Sequence, residues 1–81
     1  NSIDYARKIV FIYLENKEYQ KALKFVKKNR LNFSYIIYKA RLQDTHNPED
    51  AYRLYKYTND INYLFLYSVY KYDKSEKSLL D

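Results

Sequence analysis

Ile3, Ala6, Ile9, Val10, Tyr13 and Leu14 recur at intervals of three and four residues, which puts them on one face of an amphipathic helix. Ser2 can cap that helix, and Asp4 suits the positive end of its dipole. The polar triplet Asn16-Lys17-Glu18 interrupts the run. A second helix follows from about Glu18 to Lys28, with Ala22, Phe25 and Val26 inward and Lys17, Lys21, Lys24 and Lys28 as an outer stripe. Arg30-Leu31-Asn32 is a connector, and Asn32 or Ser34 can cap a third helix over Tyr35 to Leu42. Its apolar set is Tyr35, Ile36, Tyr38 (or Ile37) and Leu42. Gln43 to His46 is polar. Asn47-Pro48-Glu49-Asp50 then combines a preferred N-cap, a proline at the first helical position and two carboxylates in the first turn, so a fourth helix starts at Pro48 and runs to about Tyr57. It buries Ala51, Leu54 and Tyr55. Asn59-Asp60 ends it and can cap the next. Residues 61–72 are apolar almost all round, as in a buried helix, although their aromatic and β-branched content also fits a strand. Asp73-Lys74-Ser75-Glu76 reads as a capping box that opens a sixth helix at Lys77, Ser78, Leu79 and Leu80.

These elements form three helix pairs, over residues 2–29, 33–58 and 61–81. The run Ala6 to Val26 is the clearest hairpin. Two helices approach closely only where one side chain is small, so Ala22 fits the crossing, and Tyr19 one turn earlier fills the gap where the helices splay. Ala22, Ala51 and Ser78 stand near the start of each second helix, 29 and 27 positions apart. The pattern resembles the tetratricopeptide repeat, with units shorter than the usual ~34 residues. The expected fold is therefore all-α, a tetratricopeptide-like solenoid of about three antiparallel pairs in one domain, with stacking covering faces that no pair can bury alone. Leu79 and Leu80 would be left needing a partner, and the chain reads as a piece of a longer protein.

Composition narrows the classes. The 81 residues include no Gly and one Pro, which favours helices joined by polar turns and removes the Gly-rich nucleotide-binding loops. Cys is absent too, which excludes disulfides and thiolate metal sites and is compatible with a reducing compartment such as the cytoplasm. No apolar run approaches the ~20 residues that cross a bilayer. His46, the only His, sits in a polar loop beside Asp44 without a second His or a Cys to complete a metal site. Glu49 and Asp50 are explained as first-turn charges better than as an acid/base pair. The chain is not expected to be an enzyme or to hold a cofactor.

A more specific likeness lies in the succession of motifs. Lys8-Ile9-Val10 … Glu18-Tyr19-Gln20-Lys21-Ala22-Leu23, then Phe33 … Ala40-Arg41-Leu42 … Pro48-Glu49-Asp50-Ala51, then Tyr67 … Val69-Tyr70-Lys71-Tyr72 … Glu76-Lys77-Ser78-Leu79 is similar to the helix pairs of the signal recognition particle's subunit seventy-two family. Tyr52 stands where that family has Leu, and residues 44–47 are extra. The resemblance implies a scaffold in co-translational targeting to the endoplasmic reticulum, its repeats gripping a partner of the subunit sixty-eight type. The particle's RNA would be bound chiefly elsewhere.

Twelve Tyr are the largest chemical resource. Most serve packing, and some are expected to anchor a bound segment, as aromatics do at interfaces. By the same resemblance the first helix of each pair faces inward, which nominates Arg7, Phe11, Tyr38, Arg41, Tyr63 and Tyr67 for partner binding. The net charge of +5 opens a second reading, direct RNA contact through Lys21, Lys24, Lys27, Lys28 and Arg30. A repeat scaffold of an unrelated assembly is a third.

Overall fold

A computed structural model describes the backbone of residues 2–80 and the side chains of residues 2–76. It is all-helical: α1 Ser2–Glu15, α2 Tyr19–Lys28, α3 Ser34–Thr45, α4 Pro48–Thr58 and α5 Ile61–Leu80. Each helix packs mainly against its neighbours in sequence, α1 on α2, α2 on α3, α3 on α4 and α4 on α5. The molecule measures 49 × 29 × 17 Å. Its radius of gyration, 14.4 Å, exceeds the roughly 12 Å of a compact chain this long.

The turns are made without glycine. Lys17, Arg30, His46 and Asn59 each adopt the left-handed conformation, with φ of 57°, 54°, 54° and 58°. At Lys17 the amide donates to Leu14 O and the next amide, of Glu18, to Tyr13 O. Arg30 and Leu31 repeat that arrangement on Lys27 O and Val26 O, so α1 and α2 both end in Schellman motifs. The amides of His46 and Asn59 donate to Leu42 O and Tyr55 O, the simpler left-handed cap.

Two apolar clusters result. Val10, Ala22, Val26 and Ile37 form the first, with Tyr13, Leu14, Tyr19, Leu23, Phe25, Leu31 and Phe33 around them. Leu42, Ala51 and Leu54 form the second, flanked by Tyr35 and Tyr38 of α3 and by Tyr63, Leu66, Tyr67 and Tyr70 of α5. Helix α3 belongs to both, through Ile37 at one level and Leu42 at the other. Of the two alternatives at that level, Ile37 is the fully buried residue and Tyr38 is half-buried.

Helix α4 starts at Pro48 as expected, with the Asn47 side chain accepting from the Glu49 amide at 3.0 Å. Two expectations are corrected. Neither Asn32 nor Ser34 caps α3: Phe33 holds that position and makes no side-chain cap. The third pair is a single helix, because α5 continues through Asp73-Lys74-Ser75-Glu76 to Leu80. Those four residues are exposed and include no Gly or Pro, so nothing in them forces a break. The strand alternative for 61–72 falls with the same observation, and the helix is not buried all round, since Ile61, Phe65 and Tyr72 are exposed. The expected packing of Ser78, Leu79 and Leu80 lies outside the described side chains. At ~1.5 Å per residue α5 extends about 30 Å against about 16 Å for α4, so its second half runs past its neighbour.

Candidate functional site

Asp50 is fully buried in the first turn of α4. A carboxylate can sit there only if its charge is met. Arg41 of α3 meets it with a two-pronged bond, Nε to Oδ2 at 2.8 Å and Nη2 to Oδ1 at 2.9 Å. Arg53, one turn along α4, adds Nη1 to Oδ1 at 3.1 Å. The hydrogen bond to Asp50 raises the Arg41 pKa above its ordinary value. Both guanidinium groups lie against Tyr38, Arg53 at 5.2 Å and Arg41 at 6.0 Å from the ring centre. The cluster pins α3 to α4 and fixes where its outward edge points.

That edge lines an open groove of about 390 Å³, bounded by Tyr38, Arg53, Lys56 and Tyr57. Tyr57 is 55% exposed and meets Tyr35 edge-on at 6.2 Å. Lys39 lies over Tyr35 and Lys56 over Tyr52, at 5.9 and 5.2 Å. Arg41 is largely inside, its side chain 13% exposed, whereas Arg53 at 45% reaches the groove. Of the nominated partner-binding residues, Tyr38 and Arg41 therefore come together here, Arg41 as the anchor beneath.

Tyr63 and Tyr67 of α5 face the second cluster. A hydrogen bond with Tyr35, and burial after it, push the Tyr63 phenol up. Tyr67 packs beside Tyr52 at 5.3 Å and accepts from Lys71 Nζ at 3.0 Å, which raises the Lys71 pKa. Arg7 and Phe11 stand apart on α1. Arg7 caps the Phe33 ring at 5.7 Å, and Phe11 is exposed.

A second groove, about 290 Å³, is lined by Tyr13, Lys21, Lys24, Phe25 and Lys28 on α1 and α2. Tyr13 and Phe25 pack edge to face at 6.2 Å beneath the lysines. Lys21 pairs with Glu18, which raises its pKa. Lys24 and Lys28 have no ion pair among the described residues. Lys27 and Arg30 are exposed nearby in sequence but do not line it.

Tyr19 joins the two halves of the chain. Its hydroxyl donates to Asp44 Oδ2 at 2.7 Å, and Lys17 Nζ lies 3.6 Å from the other oxygen. Burial, with that hydrogen bond second, pushes the Tyr19 phenol up to about 12, and the bond holds Asp44 below its usual range. His46 stacks flat on Tyr70, centroids 4.6 Å apart. Among the described residues no group of three His, Cys, Asp or Glu could hold a metal, and no helix is long and apolar enough to cross a membrane.

Sequence reasoning missed Arg53, Lys56 and Tyr57, because they sit on a second helix. The readable signal was the spacing of Asp50 and Arg53, three apart on one helical face. No family model matches the chain, and no curated protein or solved structure matches it either.

Proposed function

We propose that the chain is a non-catalytic scaffold of helical repeats whose α3–α4 groove holds a segment of a protein partner. The observation that carries this reading is the groove of Tyr38, Arg53, Lys56 and Tyr57 held over the buried Arg41–Asp50 pair. Tyr and Arg are the residues that dominate binding energy at interfaces, and here the packing orders them beforehand, which lowers the entropic cost of binding. The consecutive packing of helices and the elongated shape suit a stacked repeat protein.

The finer reading is a cytoplasmic scaffold of the signal recognition particle gripping a partner of the subunit sixty-eight type. It rests on the succession of motifs from Lys8 to Leu79, of which the first two units keep their paired form and the third is one helix. The test is calorimetric titration with a synthetic segment of that partner type. Wild-type binding that falls at least tenfold in Tyr57→Ala and in Arg53→Ala is expected, and binding indifferent to both variants refutes the assignment of the groove. Direct RNA contact is the second reading, favoured by the α1–α2 groove with its three lysines over Tyr13 and Phe25.

A further inference from the structure

Helix α5 has two apolar faces, and the molecule uses one of them. Tyr63, Leu66, Tyr67 and Tyr70 point into the second cluster. At ~100° per residue, Ile61, Leu64, Phe65, Ser68 and Tyr72 lie on the opposite side, about 180° away. They face solvent: Ile61 is 72%, Phe65 67% and Tyr72 66% exposed. Singly such residues need no explanation, but a continuous stripe on a helix already packed on its other side does. The Ser68 hydroxyl donates to Leu64 O at 3.2 Å, so it brings no unmet donor to an apolar contact.

We propose that this stripe pairs with the same stripe of a second copy, the two α5 helices running antiparallel about a twofold axis. The stripe is self-complementary in that arrangement. Setting Ile61 opposite Tyr72 of the second copy places Phe65 opposite Ser68, a large side chain against a small one, so the helices can close. The flanking charges agree. Asp60 lies on the same flank of the stripe as Lys71, and the antiparallel register brings the carboxylate of each copy near that ammonium group of the other. A parallel pair would instead set Phe65 against Phe65 and leave Asp60 far from Lys71 of the other copy. The stripe offers on the order of 500 Å² per copy, at the small end for a specific interface, so a weak dimer in the micromolar range follows. The α3–α4 groove is not part of this contact, and the dimer stands or falls independently of the proposed partner.

The test uses the whole chain. Sedimentation velocity from about 1 to 500 µM is expected to show a reversible monomer–dimer equilibrium, with micromolar dissociation constant. Phe65→Glu is expected to weaken it at least 100-fold while circular dichroism stays that of the folded helix bundle. Because the chain contains no Cys, geometry can be read by oxidation. Ile61→Cys and Tyr72→Cys, mixed as separate single variants, are expected to form the mixed disulfide. Within one copy the two positions are about 16 Å apart, far beyond disulfide reach. A monomer at every concentration, association untouched by Phe65→Glu, or disulfides joining Ile61→Cys to itself would each overturn the proposal.

Discussion

Asp50 gives up its water and receives two guanidinium groups in exchange. Such a pair contributes little compared with an apolar substitute of the same shape, yet removing one partner strands the other charge. Asp50→Ala should therefore cost about 3–5 kcal/mol, a large part of the roughly 4–12 kcal/mol that a chain this size commands. Urea titration followed by circular dichroism measures it, and a loss below ~1 kcal/mol would mean that the guanidinium groups find water without the carboxylate. The sequence showed Asp50 as a first-turn charge and could not show Arg41 as its partner. Arg41 lies nine residues back across a turn, and only the path of that turn decides whether the two meet. Tyr19 carries a pH signature. Folded, its phenol keeps its proton up to about 12 against an ordinary 10.0, so its stabilising contribution is complete below pH 10 and is lost as pH rises from 10 to 12. In Tyr19→Phe, stability should fall less steeply across that window, as read from denaturation midpoints; an unchanged slope would remove Tyr19 as its source.

Helix boundaries follow local chemistry that is only partly written in residue identity. Asn47-Pro48 announces α4 unmistakably, because cap, fixed φ and dipole all agree. The helix ends are harder to read. A left-handed cap normally advertises itself as Gly, and here Lys17, Arg30 and His46 take that conformation against the steric cost of a Cβ. Replacing Arg30 by Gly should stabilise the protein by about 0.5–1 kcal/mol, seen as a rise of several degrees in Tm; a fall would show that the Arg30 side chain has a role of its own. The same missing punctuation explains α5. With no Gly to end it, Asp73 to Glu76 could open a new helix or continue the old one, and the backbone continues. The all-helical class, the first two hairpins, and Ala22, Ala51 and Leu54 in the core were legible, since periodicity records which face is buried.

As a whole, the molecule is a short row of helices in which α3 belongs to both apolar clusters and α5 closes one end with a second apolar face exposed. Two of its grooves differ in chemistry. The α3–α4 groove presents Tyr38 and Tyr57 with Arg53 and Lys56 over a paired, buried carboxylate; the α1–α2 groove presents three lysines over two rings. The first suits a polypeptide segment held largely by ring burial, the second a phosphate chain held by charge. These two modes separate cleanly by salt, because phosphate binding releases counterions and apolar burial does not. The decisive measurement is the affinity of the chain for a segment of the subunit sixty-eight type and for the particle's RNA, side by side at 50 and 200 mM salt. A partner in the α3–α4 groove requires peptide binding that is tight, nearly independent of salt and lost in Tyr57→Ala. Binding to RNA alone, weakening steeply with salt and lost when Lys24 and Lys28 become Ala, would contradict it.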